Sequence, residues 1–129
     1  MIDTCLADYR DPGHARRLVE RLDLYARDPA GGGVPLPPGV KAALPEALAA
    51  RPQAFSVLAF DGDLAVGLVN CIEGFSTFAC RPLVNVHDVV VRPSHRGQRV
   101  AQRMPARVEA HARQLGACKL TLEVLSGNA

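Results

Sequence analysis

No stretch of the chain approaches the ~20 consecutive apolar residues of a membrane-spanning helix. Met1 to Arg10 also lacks the basic-then-apolar order of a signal peptide. A membrane protein is therefore excluded by pattern, and the cytoplasm is the expected compartment. A large excess of one charge is missing too: the net charge is +2 over 129 residues, too mild to argue for nucleic acid. No C-x-x-C pair occurs. Cys5, Cys71, Cys80 and Cys118 are widely spaced and three of them sit in apolar runs, so they are expected as reduced core residues, with no disulfide and no metal site. The length suits a single domain over 1–129.

What is present reads as an alternation of short elements. Met1 to Tyr9 suits an opening strand, and Asp11-Pro12 is an N-cap followed by proline at the first helical position. Leu18, Leu22 and Tyr25 then recur at helical spacing over Pro12 to Ala26. Asp28 to Gly39, with Gly31-Gly32-Gly33 and clustered prolines, predicts a loop, either a connector or a flap over a substrate. A second helix is expected over Gly39 to Ala50, where Pro45 predicts a kink or a short one-turn lead-in. Ala54 to Phe60 and Leu64 to Ile72 predict strands joined by a tight Asp61-Gly62-Asp63 turn, with a bulge near Gly67. Glu73 to Arg81 reads as a connection, Leu83 to Val91 as a strand, Val100 to Leu115 as a helix with Pro105 inside it, costing hydrogen bonding or bending the first turns, and Lys119 to Val124 as a last strand. The order β-α-α-β-β-β-α-β predicts an α+β fold with a mixed β-sheet flanked by helices.

One stretch carries chemistry. Val89-Val90-Val91 is a β-branched run that meets Pro93, passes through the basic loop Ser94-His95-Arg96-Gly97-Gln98-Arg99, and opens into a helix at Val100-Ala101. First-turn amides have no partner inside a helix, and the peptide dipole puts partial positive charge there, so the junction suits an anion such as phosphate. Gly97 permits positive φ or close backbone approach. Arg92, Arg96, Arg99 and Arg103 add cations able to grip phosphate oxygens. A plain strand-to-helix turn with a solvated basic face has the same residue pattern.

The element order together with Val89-Val90-Val91-Arg92-Pro93-Ser94-His95-Arg96-Gly97-Gln98-Arg99-Val100-Ala101 resembles the GNAT superfamily of N-acetyltransferases. The match extends to Leu122-Glu123-Val124 and Asn128. The resemblance implies acetyl-CoA as co-substrate and a primary amine of a small molecule or peptide as acceptor. It implies that the amides of Gln98, Arg99, Val100 and Ala101 receive the pyrophosphate, with Arg96 and Gly97 shaping the turn. Val89 and Val91, with Val90 between them, would pair with the pantetheine arm as with an added strand; Asn128 would add a contact. The chemistry needs a base and a proton donor for the departing thiolate. Glu123 is the first candidate base, followed by Asp88, His87 and Asn85; alternation sets Asn85 and His87 on the face of Val89 and Asp88 on the other. Glu73, Phe75 and Phe78, beside the glycine-rich loop, are expected to line the acceptor pocket. His14, His95 and His111 read as surface residues.

Two departures stand out. Arg99 replaces the second glycine of the family's loop, which removes glycine-only conformations and adds a cation. Members of the family also continue with a further helix, which commonly supplies a tyrosine acid, and a closing β-hairpin. The expected fold lacks both, leaves the acid unassigned and bares the 119–125 strand edge, where a second copy could pair to give a homodimer. A non-catalytic acyl-CoA-binding or sensing module is the alternative to an enzyme, and a nucleic-acid-binding domain using the arginine face is a weaker one.

Overall fold

The computed structural model describes residues 2–122. Its elements are β1 (Ile2–Leu6), α1 (Pro12–Arg27), α2 (Pro38–Ala49), β2 (Ala54–Asp61), β3 (Leu64–Ser76), β4 (Arg81–Val91), α3 (Val100–Gln114) and β5 (Leu120–Leu122). They form one mixed sheet in the order β1-β2-β3-β4-β5. The first four strands are antiparallel neighbours, and β5 runs parallel to β4. The expected α+β order is what forms.

The sheet separates two apolar layers. On one face Val57, Val69, Val84 and Val86 pack with Val100, Met104, Val108 and Ala112 of α3, a stripe at four-residue spacing. Gly67 makes that approach close, since a Cβ there would lie 2.8 Å from Val100 Cγ1 and 2.6 Å from Met104 Sδ. On the other face Leu58, Leu68 and Val90 meet Leu18, Leu22 and Tyr25 of α1 and Leu44 and Leu48 of α2. Asp11 caps α1, accepting from the amides of Gly13 at 2.8 Å and His14 at 3.2 Å.

Some local expectations hold and others are corrected. The 73–81 stretch is not a free connection: β3 runs on to Ser76 and pairs with Arg81, Pro82 and Leu83 of a lengthened β4, because the hairpin satisfies backbone groups that a loop would leave to water. Phe75 and Phe78 are exposed at that tip, and neither lines the three cavities described below. The bulge near Gly67 falls on Val66, where pairing steps from Ala59↔Gly67 to Phe60↔Ala65. α2 and α3 each continue through an internal proline, Pro45 and Pro105, at the cost of one intrahelical hydrogen bond apiece. The proline-rich loop is tied down: Asp23, buried on α1, accepts the Leu36 amide at 2.8 Å and pairs with Arg27 at 2.7 Å. Cys5, Cys71, Cys80 and Cys118 are free thiols, Cys71 buried and Cys80 exposed. Among the described residues no helix is long and apolar enough to cross a membrane, and no cluster of His, Cys, Asp or Glu could hold a metal ion.

Candidate active site

β4 changes character halfway along. From Val84 to Val86 it pairs with β5 on one side and β3 on the other; beyond Val86, among the described residues, only the β3 pairing continues, as far as Val91. Among the described residues the other edge of His87 to Val91 therefore has no strand beside it. The gap is flanked by two cavities that share Val89. One, of about 270 Å³, is apolar and lined by Val86, Pro105, Val108 and Leu122 among others. The second, of about 260 Å³, lies between Val89 to Val91, Arg96 and the Leu24, Tyr25 and Asp28 end of α1. Leu120 and Leu122 on β5 are 42% and 62% exposed.

A β-bulge lies next to the last described pairing with β5. Pairing steps from Asn70↔Asp88 to Cys71↔Val86, leaving His87 as the extra residue of β4. A bulge resets the side-chain alternation, and this overturns the facing expected from the sequence. Val84 and Val86 point into the α3 layer while Val90 joins the α1 layer. Asn85, between two α3-facing valines, and Asp88, two residues before Val90, thus share the α1 face, with Val89 turned away from them. Asn85 donates to Thr121 Oγ1 at 2.8 Å, so its amide bridges β4 to β5.

Asp88 is the end of a polar row that crosses the sheet. Asn70 Nδ2 donates to Asp88 Oδ2 at 3.1 Å, Ser56 Oγ donates to Asn70 Oδ1 at 2.7 Å, and Tyr9 Oη lies 2.8 Å from Ser56 Oγ. These residues, with His87, border a third cavity between the sheet and helices α1 and α2. Burial raises the Tyr9 phenol, and burial together with the Asp88 charge pushes the Cys71 thiol up to about 12. Both stay protonated near neutrality, which removes Cys71 as a nucleophile. Nothing in the sequence flags Tyr9, Ser56 or Asn70, because no two of them are near each other along the chain.

The loop after β4 is held by a histidine that is not on the surface. His95 is buried; its Nε2 meets Asp61 Oδ2 at 3.0 Å and its Nδ1 meets Ser94 Oγ at 2.8 Å. A carboxylate only accepts, so Nε2 carries the proton; in the neutral ring Nδ1 then accepts from Ser94. The hydrogen bond from His95 holds Asp61 below the usual carboxylate range. His111 is partly buried as well, packed edge-on against Phe55 at 4.4 Å between ring centroids.

Beyond this anchor the chain turns with Gly97 at φ +83° and Arg99 at φ +69°. Arg99 thus takes the left-handed conformation without being glycine, a strain of about 1–3 kcal/mol. The Gln98 amide donates to His95 O at 3.2 Å. Among the described residues no backbone partner is found for the amides of Gly97, Arg99, Val100 and Ala101, and α3 begins with no side-chain cap. Arg96 and Arg99 are exposed beside them, whereas Arg103 is committed to Ile2 O at 2.8 Å. On α1, Arg21 Nε and Nη1 are buried without a hydrogen-bond partner. Burial and then the nearby Arg92 lower the Arg21 pKa. Glu123 and Asn128 lie outside the described residues.

A mixed sheet whose fourth strand runs into a basic helix start with no side-chain cap defines a fold class, and comparison with known proteins gives it a family. The Acetyltransferase (GNAT) family model matches residues 32–129. The chain belongs to that family and is an acetyltransferase-type domain. No curated protein matches it. Among solved structures it is similar to a ribosomal-protein-alanine N-acetyltransferase from Brucella melitensis biovar Abortus 2308, with TM-score 0.78, 20% identity, and 98% of this chain and 82% of that one covered. An aminoglycoside acetyltransferase from an uncultured soil metagenomic sample gives TM-score 0.79 and 15% identity over 98% and 82% of the two chains. An integron cassette protein from the mobile metagenome of Cole Harbour Salt Marsh gives TM-score 0.82 and 24% identity over 94% and 76%. At these identities the likeness speaks for the fold.

Proposed function

We propose that this protein, acting as a single domain, transfers an acetyl group from acetyl-CoA to a primary amine of a small molecule or peptide. The observation that carries the reading is the end of β4, where, among the described residues, an edge without a strand beside it leads into amides at Gly97, Arg99, Val100 and Ala101 that have no backbone partner. An elongated ligand with amides along one half and phosphates at the other end satisfies both features. In this reading the loop amides and Arg96 and Arg99 hold the pyrophosphate, and the backbone of Val89 and Val91 hydrogen-bonds the pantetheine arm. Val90 stays in the α1 layer and keeps the strand straight, while Asn128 adds a pantetheine contact.

Acetyl-CoA supplies an activated acyl group to this groove. The amine nitrogen must shed a proton to attack the thioester carbonyl, and the departing thiolate must gain one. Glu123, just past β5, is the first candidate to take the proton; His87 at the bulge and Asp88 beside it are the others. Calorimetric titration is expected to give saturable acetyl-CoA binding, and thiol release is expected to accelerate when a primary amine is added. Absence of binding overturns the reading. Binding without amine-dependent release turns it into an acyl-CoA-binding module.

A further inference from the structure

The cavity beside the bulge has a volume of about 350 Å³, at the small end of the roughly 300–1,000 Å³ usual for ligand sites. Leu22, Leu44, Leu48 and Ile72 give it apolar walls. Among the described residues lining it, Asp88 is the single carboxylate and Arg51 the single guanidinium.

The hydrogen-bond directions along the polar row follow from Asp88. A carboxylate can only accept, so the Asn70 amide must turn its nitrogen to Asp88 and its oxygen to Ser56. The Ser56 hydroxyl proton is then used on Asn70, and Tyr9 must donate to Ser56. Every dipole in Tyr9–Ser56–Asn70 therefore points its positive end toward the carboxylate. Asp88 Oδ2 is occupied by Asn70, and Oδ1 has no hydrogen bond from the described residues. The row fixes one oxygen of a negative group and leaves the other for a cation.

Building on the acetyl-transfer reading, we propose that this cavity takes a small primary amine with one positive charge on an apolar body. Its ammonium rests on Asp88, and Asn70, Ser56 and Tyr9 are positioning residues that aim the carboxylate. One anion matches one ammonium. A second ammonium on the same molecule meets either apolar wall, where an unpaired charge is costly, or the like charge of Arg51. Polyamines and aminoglycosides are therefore disfavoured.

Two measurements on the same protein test this: amine binding by calorimetry without acetyl-CoA, and kcat/KM from thiol release. Phenethylamine should bind and react at least about tenfold better than spermidine or an aminoglycoside, and better than a tripeptide with an apolar first residue. Asp88→Asn should weaken phenethylamine binding about tenfold. Tyr9→Phe, which keeps the ring, should raise its KM about two- to threefold while kcat and acetyl-CoA affinity hold. Arg51→Glu, at an exposed position, should bring spermidine to parity. Equal or better use of spermidine, the aminoglycoside or the tripeptide by the unmodified protein overturns the proposal; so do no detectable phenethylamine binding and no response to Arg51→Glu. Selective phenethylamine binding with no amine-dependent thiol release leaves the pocket assignment standing and overturns the acetyl-transfer reading alone.

Discussion

The two halves of the proposed site are built from different material. The groove at the end of β4 is made mainly of backbone: an edge that has no strand beside it among the described residues and amides at Gly97, Arg99, Val100 and Ala101, all within one continuous stretch. The neighbouring cavity is made of side chains drawn from Tyr9, Leu22, Leu48, Arg51, Ser56, Asn70 and Asp88, on six different parts of the chain. A backbone site tolerates many side chains so long as the turn forms. A side-chain site changes its ligand with a single substitution, which suits one cofactor shared across a family and acceptors that differ.

The largest effect should come from breaking the backbone half itself. Gly97→Glu forces a side chain onto φ +83° and sets a negative charge where phosphate is expected. Acetyl-CoA affinity should fall by about a hundredfold or more. Gln98→Ala, whose amide is already engaged and whose side chain is exposed, should change it by less than about threefold. Equal losses in the two variants, measured by calorimetry, would show that side chains carry the grip.

Next in size is Gly67→Ala. The added methyl meets Val100 Cγ1 and Met104 Sδ, so thermal or urea unfolding should report a loss of about 1–3 kcal/mol. Because Val100 opens α3, the same substitution should disturb the loop amides while sparing amine binding at Asp88. Arg99→Gly should work in the opposite sense: relief of the left-handed strain at φ +69° should stabilise the fold by about 1 kcal/mol. Loss of the cation should meanwhile weaken acetyl-CoA binding a few-fold.

Acid should loosen both halves together. Asp61 is held low by the His95 hydrogen bond and anchors the loop. Asp23 is held low by the Leu36 amide and anchors the lead into α2. A carboxyl whose folded pKa is depressed contributes stability that is complete above the ordinary aspartate value of about 3.9 and is lost as pH falls below it. Melting temperatures should thus be level from neutrality to about pH 5 and decline below about pH 4. Asp61→Asn should flatten part of that decline.

The fold was legible wherever a signal is local. The Asp11-Pro12 cap, the Leu18, Leu22 and Tyr25 stripe, the Asp61-Gly62-Asp63 turn and the strand-loop-helix of Val89 to Ala101 each depend on neighbours within a few residues. The errors lie where a distant partner decides. Pairing between β3 and β4 drew residues 73–81 into a hairpin and carried Phe75 and Phe78 to its exposed tip. Asp61, thirty-four residues away, buried a histidine that reads as a surface residue. The bulge at His87 set Asn85 and Asp88 on one face, against simple alternation, because the register against Asn70 and Cys71 belongs to the sheet and not to the strand.

The sequence by itself determined the order of elements and the strand-turn-helix from Val89 to Ala101, since periodicity, capping and backbone freedom act between near neighbours. Only the tertiary structure decided that Tyr9, Ser56, Asn70 and Asp88 stand in one hydrogen-bonded row. Their distances depend on strand pairing across the whole sheet, and a linear sequence carries no local mark of which side chains that pairing will bring together.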